Sequence, residues 1–317
     1  MKENNNVWLN GIMGVVVGDS LGVPVEFLDR EALADDPVDT MRGFGTYHLP
    51  AGSWSDDSSM TLATLDSIKN GFCPEDIMDR FVCWLTLGEY TPFGTVFDVG
   101  NICYDAIARY IADKDTKACG RTGEYDNGNG SLMRIMPVCL YACDQQQKSG
   151  ISDEGAVDML HEASALTHNH IRSKIACGLY YFMVKSILNQ TGSLMERLQT
   201  GIDFGVNFYK KSGVAETELN HYRRILDLKE FQELPVDWIS SHGYVVDTLE
   251  AAIWCLLNSE TYSECVLKAV NLGHDTDTVA AIAGGLAGLY YGYTNIPEEW
   301  LEEIQRRNWI EEMCCVE

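Results

Sequence analysis

Two apolar segments of the chain carry a glycine at every fourth position: Gly14, Gly18 and Gly22 near one end, Gly284, Gly288 and Gly292 near the other. That repeat puts the glycines of each set on one face of a helix. Glycine weakens a helix by about 1 kcal/mol relative to alanine, so a stripe of it predicts close approach by another backbone. The two striped helices are expected to pack on each other. The second stripe belongs to 277–292, which reads as one helix of small and apolar residues. The helical period recurs in 247–258, where Leu249, Ala252, Ile253 and Leu256 fall at i, i+3, i+4, i+7. Strand patterns are scarce, and Tyr244–Val246 is too short to build a sheet. The expected fold class is therefore all-α, a compact single-domain bundle of many helices over residues 1–317. The most polar stretch, 187–242, is the place for a surface insertion, although no Pro/Gly/Ser linker flanks it.

Charge narrows the function. The chain has 23 basic and 47 acidic residues, a formal net charge of −24. This excludes a basic surface for general nucleic-acid binding and disfavours docking on anionic membranes. An anionic ligand would need a local source of positive potential: a metal, a helix N-terminus or a placed arginine. The 11 cysteines form no CxxC pair, and several, such as Cys139 and Cys255, sit in apolar runs. Reduced, buried thiols and a cytoplasmic location are expected, with Cys314 and Cys315 exposed near the C-terminus. No leader and no 18-residue apolar stretch is read, so no membrane span is expected. The chain is expected to be a monomer. No GxxxxGK[ST] loop is present, which excludes a P-loop NTPase.

Two acidic clusters precede apolar helical runs. The first holds Ser55, Asp56 and Asp57; the second holds Asp275, Asp277 and Thr278. Each alone reads as a helix cap, since Ser, Thr and Asp are preferred there and acids complement the helix dipole. One cap needs one oxygen, however, and two carboxylates plus a hydroxyl crowd each turn. Adjacent carboxylates repel unless a cation offsets them, and oxygen donors without paired Cys or His favour Mg²⁺, Mn²⁺ or Ca²⁺. If the clusters converge, four carboxylates and two hydroxyls suffice for two metal ions. The spacing does not fit an EF-hand, and convergence does not follow from spacing.

Other segments carry an ordinary reading beside a functional one. Gly128-Asn129-Gly130-Ser131 leading to Arg134 is either a plain turn or a backbone nest whose N–H groups face an anion. In Thr167-His168-Asn169-His170, His168 is either a satisfied hydrogen-bonding histidine or a ligand contact; no third N or S donor suggests zinc. Asp98 could cap a helix beginning near Phe97, and Glu26 could be a solvated surface acid.

Six segments occur in order along nearly the whole chain: Gly18-Asp-Ser-Leu-Gly-Val-Pro-Val-Glu-Phe, Ser55-Asp-Asp-Ser, Phe97-Asp-Val-Gly, Asn129-Gly-Ser-Leu-Met-Arg, Thr167-His-Asn-His and Gly273-His-Asp-Thr-Asp-Thr. Together they resemble the ADP-ribosylglycohydrolase family, which includes the dinitrogenase-reductase-activating and arginine-directed enzymes. The resemblance implies an all-α fold and two Mg²⁺ (or Mn²⁺) ions at the bottom of a cleft. By similarity the ligands would be Ser55, Asp56, Asp57, Asp275, Asp277 and Thr278; the family usually has Thr at the first, and Ser55 keeps the oxygen. Asn129, Gly130 and Ser131 would meet the diphosphate of ADP-ribose, His168 would contact the ligand, and Arg134 would bind phosphate or orient the loop. Glu26 and Asp57 become candidates for proton handling. Asp98 would lie beside the scissile bond, where a carboxylate suits a guanidinium leaving group. The expected activity is metal-dependent release of ADP-ribose from modified proteins, most of all from arginine. Metals would orient the ribose diol and lower the pKa of a water. Serine-linked, O-acetyl or nucleic-acid-linked ADP-ribose, and an inactive ADP-ribose-binding protein, are the alternatives. Oxygen donors at all six metal positions argue against an inactive site.

Overall fold

The computed structural model describes residues 6–316. Among them lie sixteen α-helices, four 3-10 turns and no strand. Two isolated bridges, Arg121–His168 and Gly128–Tyr244, are the only sheet-like pairings among the described residues. The all-α expectation holds.

The centre is a helix pair, Val7–Gly22 and Thr276–Tyr291. Both are apolar over most of their circumference, and nearly every residue of each is buried. The glycine stripes are their contact. A Cβ on Gly14 would lie 2.3 Å from the Gly284 carbonyl oxygen, one on Gly18 2.1 Å from that of Ala280, and one on Gly288 2.2 Å from that of Asn10. No side chain larger than hydrogen fits at these positions. The stripe stops short of Gly292, which leaves the helix with φ +89° and has open space beside it. Thr276 Oγ1 donates to the carbonyl of Gly22 (2.8 Å), and Tyr262 OH donates to that of Gly14 (2.8 Å), so side chains from the second half of the chain pin the first helix in place.

Around the pair pack the helices Asp56–Ile68, Met136–Ser149, Ile171–Asn189, Val245–Leu257 and Tyr262–Val270. One apolar cluster runs from Trp8 to Cys314.

Three sequence readings need correction. Val7–Val25 is long and apolar enough by composition to cross a membrane, but 83% of that window is buried within the fold against the other helices. Cys314 is buried, its apolar neighbours having folded back on the core, while Cys315 is exposed. The 187–242 stretch is not an appendage: Leu198, Ile202, Tyr209, Ile225, Leu228 and Phe231 are all buried in the common core. Its polar residues occupy the outer face of the amphipathic helix Leu194–Lys211.

Candidate active site

The site lies where the N-termini of Asp56–Ile68 and Thr276–Tyr291 meet the C-terminal end of Val7–Gly22. Gly22 packs against the second acidic turn so closely that a Cβ there would sit 2.3 Å from both N and Cα of Asp277. The two acidic clusters do converge: Thr278 Oγ1 donates to Asp57 Oδ1 at 3.3 Å. Ser55 keeps an ordinary capping role, its hydroxyl accepting from Asp57 N–H (3.2 Å). Asp275 occupies the corresponding position in the other helix but caps nothing. Its Oδ2 accepts instead from Asn129 Nδ2 at 2.7 Å, which ties the acidic floor to the 128–131 loop.

A cavity of about 540 Å³ opens above this floor. Glu26, Asp56, Asp98, Asp275 and Thr278 line it together with Asn129, Gly130, Met133 and His168. Among the described residues, no lysine or arginine lines it. Asp57 and Asp277 lie in the floor itself, and each has one buried carboxylate oxygen without a hydrogen-bond partner. Leaving such an oxygen bare is costly unless a cation takes it. Carboxylate oxygens of Asp19, Asp57 and Asp277 lie within 4.8 Å of one another, as do those of Glu26, Asp98 and Asp277. Asp277 is common to both groups. A donor set of this kind, all hard oxygen with two bare atoms at its centre, fits divalent cations such as Mg²⁺ or Mn²⁺.

The electrostatics agree. Burial, reinforced by neighbouring acids, pushes Asp56, Asp57 and Asp277 well above the usual carboxylate range. Glu26 is raised to about 9, chiefly by burial and then by the charge of Asp98. This many acids strain to hold protons unless positive charge is supplied.

Glu26 is buried rather than solvated, and its Oε2 accepts from Tyr47 OH at 2.6 Å. Asp98 is not a cap, since the following helix starts at Asn101 with Gly100 at its N-cap. Asp98 has a left-handed backbone, φ +51°, and its carboxyl is raised mainly by burial. His168 is buried, its Nδ1 at 2.8 Å from Thr167 Oγ1, and burial with Arg134 and Arg121 nearby lowers it to about 3. It therefore faces the cavity as a neutral imidazole. His170 points away, its ring accepting from Arg172 N–H as a helix cap.

Arg134 and Ser131 do not line the cavity. Arg134 lies beneath the loop, donating to the carbonyls of Gly130 and Ala163 and to Thr167 Oγ1, with its guanidinium over the Phe81 ring. Of the two roles open to it, orienting the loop is the one its contacts serve. Ser131 Oγ is buried and accepts from Ser164 Oγ at 3.0 Å.

Sequence reasoning missed Asp19, Tyr47, His242 and His274. Asp19 is fully buried and accepts from Ser55 N–H, Ser58 N–H and Ser58 Oγ, so it braces the turn carrying Asp56 and Asp57. Burial raises it to about 6 against the pull of those hydrogen bonds. An acid in the middle of an apolar helix was the available signal. Tyr47 and His242 lie in loops with no pattern; the rings of His242 and His274 stack at 4.0 Å on the cavity wall.

The family model for ADP-ribosylglycohydrolase matches residues 8–316. An ADP-ribosylarginine hydrolase (Tri1) of Pseudomonas putida is 31% identical over 307 residues, covering 95% of this chain and 75% of the relative. The ADP-ribosyl-[dinitrogen reductase] glycohydrolase of Rhodospirillum rubrum is 29% identical, covering 94% and 90%. A solved structure described as an ADP-ribosylglycohydrolase-related protein complex superposes with a TM-score of 0.79 at 30% identity, covering 99% of this chain and 97% of that one. With the family model matching residues 8–316 and the fold shared over nearly the whole chain, the chain is a glycohydrolase enzyme and belongs to the ADP-ribosylglycohydrolase family.

Proposed function

We propose that this enzyme hydrolyses the N-glycosidic bond between ADP-ribose and arginine on modified proteins, with two Mg²⁺ or Mn²⁺ ions held by Ser55, Asp56, Asp57, Asp275, Asp277 and Thr278. The observation that carries the arginine reading is the sign of the cavity: Glu26, Asp56, Asp98 and Asp275 line it and, among the described residues, no lysine or arginine does. A guanidinium leaving group meets four carboxylates there, and a carboxylate pairs with it in a two-pronged fork. The naming of the Pseudomonas relative as an ADP-ribosylarginine hydrolase supports the same choice.

Bound divalent cations would supply Lewis-acid polarisation and the positive charge that the floor lacks. The protein's own groups do the rest. Asn129 holds Asp275 and thereby couples the ligand loop to the floor. Within the loop, Leu132 and Met133 N–H turn back to the Asn129 carbonyl, which leaves Gly130 on the cavity wall for a diphosphate while Ser131 packs behind it. Neutral His168 offers a hydrogen bond without a fixed charge. Tyr47 OH holds Glu26 Oε2, so a proton on Glu26 resides on Oε1 and is available to the departing nitrogen. Asp98 pairs with the guanidinium and keeps the bond over the floor.

The test is release of ADP-ribose from an ADP-ribosyl-arginine protein and an ADP-ribosyl-serine peptide, each with Mg²⁺ and with EDTA. Release from the arginine substrate alone, abolished by EDTA, is expected. Asp98→Asn should lower kcat/KM on it by about 100-fold or more. Release from serine alone would overturn the arginine reading and Asp98 as its selector.

A further inference from the structure

Five of the large apolar side chains exposed among the described residues lie on segments tied to the cavity wall around Glu26 and His274. Phe27 and Leu28, Phe44, and Val236 with Trp238 come from three separate segments; Phe27 and Trp238 are each 67% exposed and Phe44 70%. Single exposed apolar residues are ordinary, but a cluster beside a binding cavity is not.

The backbone makes them one surface. Phe27 N–H donates to the His274 carbonyl and His274 N–H to that of Leu28, both at 2.7 Å. Thr46 donates to the carbonyls of Pro24 and Glu26, which seats Phe44 beside them. Arg30 spends its guanidinium on the carbonyls of Leu272, Val236 and Ile239, clamping the Trp238 loop to the same edge. A hollow of about 400 Å³ containing Arg30 and Trp238 meets the active-site cavity at His242 and His274. Phe27 and Phe44 are held at φ +68° and +60°, where bulky residues are rarely found. Such conformations gather at ligand clamps and other functional sites.

Charge on this rim is one-sided. Arg30 and Arg224 spend their guanidiniums on the carbonyls of Val236, Ile239 and Trp238, while Glu31 and Asp237 are exposed, form no ion pair among the described residues, and border the hollow.

From these features we infer that the rim is the docking surface for the folded protein that carries the ADP-ribosyl group, one presenting apolar and basic side chains around the modified residue. The inference rests on the proposed function. A substrate side chain that reaches the cavity must bring its own surface over this edge, so the occupant is set by continuity with the cavity. Burial of exposed aromatics at such a contact carries much of the binding, and the acids select a basic surround.

Kinetics on two substrates of one linkage test it: an arginine-ADP-ribosylated protein and free ADP-ribosyl-arginine. Phe44→Ser with Trp238→Ser should raise KM for the protein about tenfold and leave kcat, the small substrate and Tm unchanged. Asp237→Lys with Glu31→Lys should do the same, with the loss shrinking as salt is added. Equal losses on both substrates, or none on either, would overturn the docking role while leaving the proposed function standing. Failure of the wild-type enzyme to release ADP-ribose from either substrate would overturn the arginine reading, and the rim inference with it.

Discussion

Gly22 and Asp277 touch backbone to backbone at the end of the central helix pair, with 2.3 Å between a notional Cβ on the glycine and the Asp277 Cα. The stripe of small residues that packs the core therefore also sets the height of the acidic floor. Gly22→Ala must push the helices apart or shift Asp277. Overpacking of this kind costs about 1–3 kcal/mol. We expect a lower Tm and weaker Mg²⁺ binding together; thermal unfolding with and without Mg²⁺ checks both, and an unaltered variant would discard the coupling.

The crowded floor has an opposite signature. In EDTA at neutral pH, Asp277→Asn should melt above wild type, because it removes one carboxylate from a buried group of like charges that burial already disfavours. Added Mg²⁺ should reverse the order: a ligand at 100 times its Kd stabilises by about 2.7 kcal/mol, and the variant should gain little. Calorimetry of both proteins under the two conditions decides it, and Mg²⁺ stabilising both alike would count against a cation at Asp277.

Glu250 provides a pH dependence away from the floor. It is buried, Oε2 accepts from Arg224 at 2.7 Å, and Oε1 has no partner. Burial outweighs the arginine and lifts the carboxyl from 4.5 to about 7. The folded state thus holds this proton more tightly than the unfolded chain. Its contribution is complete below pH 4.5 and is lost as pH rises through about 7. Glu250→Gln, which stays neutral, should gain on wild type by on the order of 2 kcal/mol between mildly acidic and alkaline buffer. Urea unfolding across that range measures the difference, and a gap that stays constant with pH would refute it.

Arg134 distinguishes a loop brace from a phosphate ligand. Lysine cannot reach the Gly130 carbonyl, the Ala163 carbonyl and Thr167 Oγ1 together, so Arg134→Lys leaves buried acceptors bare. Each costs about 1–3 kcal/mol. A falling Tm accompanied by weaker ADP-ribose binding is expected. Normal stability with a raised KM would instead mark a direct phosphate contact.

What could be read from the sequence was what is local or periodic. Helix identity follows from a 3.6-residue repeat, and the glycine stripes announced a close partner because glycine weakens a helix and a stripe of it implies the approach of another backbone. Crowded oxygens before two helices announced a charge that capping could not absorb. None of this required knowledge of distant contacts. Whether the clusters meet depended on a contact between residues 57 and 278, and that was decided by the packing of the central pair. Asp19 looked like one acid in an apolar helix until the fold set it under the 55–58 turn, and Tyr47 gained meaning only opposite Glu26. Arg134, open to a ligand or a brace role in one dimension, was turned inward because the Gly130 carbonyl of its own loop and two acceptors of the 163–167 segment converge on it. Local sequence determines which helices form and where charge concentrates along the chain; long-range packing alone determines which charges share a cavity and which side chains face it, because those contacts join residues that the chain keeps far apart.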